Sequence, residues 1–462
     1  MSTEDSVLSG SILSVFITYA VPNVLGMLAL SSAIIIDGFF LGNYVGSSAL
    51  AALNMALPLG SLVMGVSLMI SVGAMVRCGK YIGEGNQKAA SAIFTKAIAA
   101  IAVFAVIVLV FGFVFMDGLI ALLGANEQLA GIVKTYLQIY LLFTPFLLFG
   151  LSFSYFVRID GRPVVASVAL LMSAVVNITL DGLFIAVLDM GVQGAALGTG
   201  IAEFAMFLVL IFHFFSSKAS LKLVRIKDGW NEIFHAAYNG LSEFSTEASA
   251  GVITLIFNWV LINRLGVEGV AAFTIVTYLL FTQMMICYGI SEALQPIISK
   301  NFGAQNHRRV MQFVVLSGFM VMVTGGLFIL ILLTTPERIA GLFLKSGEQK
   351  AITLAVEFIT LFWPALLFNG INVILSAYFT AMQKPAHSVA ISLSRSLVMP
   401  ALFIFTLPLI IGNAGMFLAI PAAELATVIP ALYLFYRNRP RQLIEAEYSG
   451  TKPDEQVTIL PN

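Results

Sequence analysis

The chain has 462 residues, 59% of them hydrophobic and 10% charged, with 24 Lys and Arg against 24 Asp and Glu. Soluble globular chains are about 25% charged, so a soluble fold is excluded: so few charges could not cover its surface. Disorder, collagen and disulfide scaffolds are excluded by 37 Phe and only two Cys, and the zero net charge argues against a nucleic-acid surface.

A membrane-crossing helix needs about 20 apolar residues. Twelve stretches qualify: 13–36, 48–76, 92–115, 135–157, 164–187, 194–215, 237–262, 269–298, 311–333, 353–380, 387–410 and 414–436. Runs such as Ile98–Phe115 are apolar on every face, unlike the alternating strands of a membrane barrel. The expected fold is all-α and integral to the membrane. Met1–Gly10 is polar and acidic without a basic n-region, so no cleavable signal peptide is expected before span 1.

Lys and Arg accumulate on the cytoplasmic side of membrane proteins. Segments after even-numbered spans, with the C-terminal tail, hold 18 of the 24, among them Arg77, Lys80, Lys96, Arg158, Lys227, Lys300 and Lys452. Segments after odd-numbered spans hold Lys134, Arg264, Arg338, Lys345 and Lys350, and Arg395 lies inside a span. The expectation is a multi-pass protein of the cell (inner) membrane with both termini cytoplasmic.

Shifting the sequence by 220 residues matches Asn43, Gly46, Lys80, Gly83 and Asn86 with Asn263, Gly266, Lys300, Gly303 and Asn306. Further on the shift becomes 221–222, and Gly191 and Glu203 meet Gly412 and Glu424. Six spans per repeat give both halves the same orientation, a parallel repeat about an axis along the membrane normal. The expected organisation is an N-lobe at 1–215, a linker at 216–236, a C-lobe at 237–437 and a cytoplasmic tail at 438–462, with a cleft between the lobes.

Charges within spans are expensive and mark candidate functional sites. They are Asp37, Asp181, Glu203, Glu243, Glu247, Glu292, Glu357, Arg395 and Glu424, eight acids to one base, which suits a handler of cations or protons. Asn177 and Asp181, four residues apart in span 5, share a helix face. With Asp37 in span 1 and Thr199 and Glu203 in span 6, they supply hard oxygen ligands for Na⁺ or carboxylates that can hold protons. The alternative is hydrogen bonding between helices. The repeat puts Phe257, Met399 and Phe403 opposite Asp37, Asn177 and Asp181, so such a site belongs to one lobe. Glu424 is expected to be architectural and Glu203 is left open. Glu243 and Glu247 fit either a helix start or the cleft mouth. Phe153, Tyr278, Met284, Met285, Asn369 and Arg395 are candidate cleft residues, since Met and aromatic walls suit varied apolar ligands. No P-loop, H-E-x-x-H, C-x-x-C or G-x-S-x-G pattern occurs, so energy is expected from an ion gradient or a partner, and no enzyme is expected.

Asp37-Gly-Phe-Phe-Leu-Gly42, then Gly46-x-x-Ala-Leu-Ala-Ala52, the elements Gly83–Asn86 and Gly303–Asn306, and Asn177-Ile-x-x-Asp181 together resemble the MATE (multidrug and toxic compound extrusion) transporters over nearly the whole chain. The resemblance implies two six-helix lobes and export of cationic or amphipathic drugs in exchange for H⁺ or Na⁺, by a monomer in the lipid bilayer without a resident cofactor. It carries the family's N-lobe cation site onto Asp37, Asn177, Asp181 and Thr199. Some relatives carry acids within spans 7 and 10; here Glu243 and Glu247 lie near the helix start and span 10 offers Asn369 and Asn372, closer to the branch typified by DinF and MepA. The rival reading is a lipid-linked oligosaccharide or polysaccharide flippase of the same superfamily, against which the acidic bias speaks.

Overall fold

The computed structural model describes residues 7–226, 229–343 and 349–449; Lys227, Lys345, Lys452 and the acidic residues before Val7 lie outside them. Twelve helices are long and apolar enough to cross a membrane: Ile12–Val45, Ala51–Gly83, Gln87–Val114, Leu129–Ile159, Pro163–Val187, Gly191–Phe215, Leu241–Gly266, Ala272–Gly303, His307–Thr334, Pro364–Ala381, Pro385–Ile411 and Ala414–Arg437. No strand occurs among the described residues. Spans 1–6 form one lobe and spans 7–12 the other.

The two lobes turn at the same places. Positive φ occurs at Gly46 and Gly266, at Gly85 and Gln305, at Gly161 and Gln383, and at Gly191 and Gly412. Each pair is separated by the repeat shift of 220–222 residues. Gly266 (φ 73°, ψ −162°) marks the kink between spans 7 and 8, a conformation open to glycine because it lacks Cβ. Asn86 caps span 3, accepting from the Ala89 N–H at 3.1 Å.

Three expectations need correction. Span 10 is not one helix over 353–380. The chain divides into Gln349–Phe362 and Pro364–Ala381, because Pro364 has no N–H to continue the ladder. Arg158 is not a loop cation, since span 4 runs to Ile159 and its side chain is 3% exposed. Lys96 and Lys300 are likewise buried within helices.

Both described chain ends, the linker and the ends of the even-numbered spans share one side, here the terminal side. The lobes meet there. A Cβ on Gly83 would stand 2.1 Å from the Lys300 carbonyl oxygen, and one on Gly303 would stand 2.0 Å from that of Lys80. Gly83 and Lys80 are the repeat counterparts of Gly303 and Lys300, so the contact is reciprocal about the pseudo-two-fold axis. Gly79 meets the side chain of Ser299, its own counterpart, where a Cβ would stand 2.1 Å from the Oγ.

Polar bridges reinforce this seam. Asn23 donates to the Gly289 carbonyl at 2.8 Å, Arg158 and Tyr155 donate to Glu292 at 2.8 and 2.9 Å, and Arg77 donates to Gln383 at 2.6 Å. These bridges between the lobes all lie in the terminal half.

The C-terminal helix Pro440–Ser449 straps the seam. Leu443 and Ile444 are buried in the C-lobe core, while Glu447 sits 2.5 Å from Lys80 of the N-lobe and Tyr448 donates to Glu84 at 2.6 Å. Partial burial raises the Glu447 pKa, but the hydrogen bond and charge of Lys80, with Lys384 and Arg77, outweigh that and hold it below the usual carboxylate value. The strap therefore contributes above that usual value and is lost only as pH falls through the depressed one.

Candidate ion-coupling site

The first lobe brings together the residues expected to form the site. Span 5 presents Asn177 (7% exposed) and Asp181 (0% exposed) toward span 6, where the Asn177 amide donates to the Thr199 hydroxyl at 3.2 Å. Both carboxylate oxygens of Asp181, and Oδ1 of Asp37, are buried without a hydrogen-bond partner among the described residues. Asp37 acts electrostatically on Asp181. Buried carboxylates left this bare are costly unless protonated or bound to a cation. The donor set of two carboxylates, an amide oxygen and a hydroxyl is oxygen-only, which fits Na⁺ or a proton and not a thiolate- or imidazole-seeking metal.

Gly198 makes the room. A Cβ there would come within 2.5 Å of Asp181 Oδ1. The repeat counterparts of Gly198 and Asp181 are Ala419 and Phe403, and this paired difference is the sequence signal that could have found Gly198. Tyr136 and Tyr140, one turn apart in span 4, stack with ring centroids 6.3 Å apart, and Tyr136 lies within electrostatic reach of Asp37, Asp181 and Glu203; spacing in span 4 gave no sign of it.

The second lobe is built differently. At the position of Asp37, Phe257 is 1% exposed and stacks on Phe273 with centroids 5.2 Å apart. Glu424 accepts from Asn369 at 2.8 Å and Asn372 at 2.7 Å, with Arg395 at 3.5 Å. This names the partner of Arg395. Glu203, the repeat counterpart of Glu424, has Leu147 and Gly150 at the matching positions of span 4, and no hydrogen bond or ion pair of Glu203 occurs among the described residues.

The six candidate cleft residues are not brought together. Phe153 is packed among Phe149, Phe207 and Phe214 inside the N-lobe. Asn369 and Arg395 are 1% and 6% exposed, held by Glu424 in the C-lobe. Tyr278 is 46% exposed, and Met284 and Met285 are half-buried. Glu292, which sequence could not partner, bridges the lobes through Arg158 and Tyr155. Glu243 accepts from Gln295 at 3.1 Å. Among the described residues no group of three or more His, Cys, Asp or Glu could hold a metal ion.

A family model described as MatE matches residues 22–183 and again 247–406, once in each lobe. The multidrug export protein MepA of Staphylococcus aureus is 25% identical over 436 residues, covering 92% of this chain and 94% of that protein. The crystal structure of MATE in complex with MaL6 overlays with a TM-score of 0.90 at 18% identity, over 96% of this chain and 99% of that one. An outward-facing conformation of a multidrug resistance MATE family transporter of the MOP superfamily overlays at 0.89 with 19% identity, over 95% and 98%. These relatives are export proteins and transporters, not enzymes. With two matches that together span most of the sequence and a fold of two six-helix lobes, the chain belongs to the MatE family.

Proposed function

We propose that this transporter exports cationic or amphipathic small molecules, drugs or metabolites, in exchange for H⁺ or Na⁺, with both termini in the cytoplasm of a cell (inner) membrane. Its working parts are an N-lobe at 1–215, a linker at 216–236, a C-lobe at 237–437 and a tail at 438–462. The observation that carries the reading is Asp181: wholly buried, with neither carboxylate oxygen satisfied, beside Asp37, Asn177 and Thr199. A seam closed on the terminal side supports an outward-facing state. Binding of the ion at Asp37 and Asp181 drives exchange when its affinity differs between outward- and inward-facing states. Glu203, one turn from Thr199 in span 6, is the further carboxylate that tunes that affinity.

The test is uphill drug efflux in reconstituted vesicles with the pH and Na⁺ gradients clamped separately. One gradient drives efflux in the wild type, which identifies the ion. Asp37→Asn and Asp181→Asn each lose at least tenfold in driven efflux while facilitated exchange of drug persists. Driven efflux at the wild-type rate in both variants would falsify the site. Gly198→Ala, whose new Cβ displaces Asp181 Oδ1, lowers driven efflux without loss of folded protein by size-exclusion chromatography; undiminished efflux there means Asp181 is not held where coupling requires it.

A further inference from the structure

The segment between the lobes carries a surface that the transport cycle does not use. Helix Asn231–Asn239 has two faces. Ile233, Ala236 and Asn239 are buried, and a Cβ on Gly73 would stand 1.8 Å from the Ala236 carbonyl oxygen. Glu232 fixes the helix to the N-lobe through Lys96 at 3.1 Å, Arg77 at 3.5 Å and the Tyr81 hydroxyl. Three cationic or donor groups hold its pKa below the ordinary value although burial alone raises it. Asn239 reaches the C-lobe, donating to the Thr380 carbonyl at 2.8 Å. The helix is thus rigidly held across both lobes.

The other face is exposed among the described residues. Trp230, Phe234 and Tyr238, spaced i, i+4, i+8, are 45%, 70% and 53% exposed and line one stripe. At the end of span 6, before the linker, Phe212 and Phe215 are likewise 65% and 79% exposed. Trp and Tyr collect at the depth where membrane meets water. The extended segment before the helix is pinned by Asp160, which accepts from the backbone N–H groups of Ser220 and Leu221, and by Thr95, which accepts from Val224 at 3.0 Å. This pinning turns Lys218, Lys222 and Arg225 outward, all exposed and in no ion pair among the described residues.

We infer that this linker is a lipid-binding element: its aromatic stripe lies in the interface of the terminal-side leaflet, and Lys218, Lys222 and Arg225 take anionic phospholipid headgroups. An aromatic face with flanking cations is the composition of an interfacial helix, and charge complementarity with an anionic leaflet chooses the occupant over a protein surface. Each cation near such a surface strengthens association about fivefold. The inference holds whatever molecule is transported.

The experiment uses the full-length chain in nanodiscs of phosphatidylcholine alone or mixed with phosphatidylglycerol. With Trp259→Phe and Trp363→Phe, Trp230 reports alone. In the anionic discs it is quenched by lipids brominated near the headgroup end of the acyl chain and shielded from iodide. Lys218→Gln with Lys222→Gln and Arg225→Gln removes the difference between the two lipids. A second readout needs no tryptophan change: native mass spectrometry of the wild type retains phosphatidylglycerol over phosphatidylcholine, and retention falls about fivefold per cation removed. Equal iodide access in both lipids, or wild-type retention in the triple variant, overturns the inference. Displacement of the lipid by millimolar inorganic phosphate means the site reads a free phosphate, and also overturns it. None of these readouts measures transport, so their failure leaves the exchange mechanism standing, and the reverse.

Discussion

Gly303→Val is expected to abolish uphill transport by preventing the terminal seam from closing. The new side chain meets backbone on the opposing helix: Lys80 O at 2.0 Å, its carbonyl carbon at 2.8 Å and its Cα at 3.0 Å. Overpacking among side chains costs about 1–3 kcal/mol because they can move aside. Backbone of a membrane span cannot, so the lobes must separate. Spin labels on the terminal ends of spans 2 and 8 should lie farther apart in the variant, with transport down at least tenfold. Gly83→Val should do the same from the other lobe, against Lys300 O at 2.1 Å. Gly318→Val in span 9, with nothing within 4 Å, serves as the control and keeps wild-type transport. Wild-type label distances in Gly303→Val would mean the seam tolerates opening and is not a gate.

Glu424→Ala is expected to cost the fold more than any other single carboxylate replacement. It leaves Arg395, whose side chain is 5% exposed, without its counter-charge, and takes the acceptor from Asn369 and Asn372. Removing one partner of a buried ion pair costs about 3–5 kcal/mol, which should appear as a lower melting temperature in detergent and poor recovery of folded protein. Glu203→Ala, at the matching position of the first lobe, removes no hydrogen bond or ion pair found among the described residues. It should leave melting nearly unchanged and lower ion-driven efflux. The opposite pattern, a stable Glu424→Ala and an unfolded Glu203→Ala, would reverse the roles of the two glutamates.

The spans were legible because membrane helices are long, apolar and local: the twelve expected stretches and the twelve observed helices coincide within a few residues, except near proline and glycine. Span 10 was read through Pro364 because both flanks are apolar, and hydropathy does not register a missing N–H. The repeat was legible in Gly, Asn and Lys identities, and the structure adds a cause for two of them, since Gly46 with Gly266 and Gly191 with Gly412 turn at positive φ. The helix-face pairing of Asn177 with Asp181 followed from spacing, because both lie on one span. Partnerships between spans did not. Nothing in the order of residues links Arg158 to Glu292, 134 positions apart, or Arg395 to Glu424. Arg158 and Lys96 were likewise read as loop cations, because a helix end buried against the other lobe or the linker has the composition of a loop facing water. Phe153 and Asn369 were read as cleft residues from type alone, and type does not distinguish the inside of a lobe from the wall between two.

A contact in which Gly83 meets Lys300, Gly303 meets Lys80 and Gly79 meets its own counterpart is the interface of a homodimer written into one chain. In a true dimer every useful change would appear twice, and two identical carboxylate sites would face each other. Two halves in one chain are free of that constraint. One half keeps Asp37 and Asp181, while the other holds Phe257 and Phe403 at the same places and spends its buried glutamate on Arg395. The single chain therefore keeps a symmetric contact at the terminal seam while placing its bare buried carboxylates, Asp37 and Asp181, in one half alone, so the two halves share a hinge without sharing a chemistry.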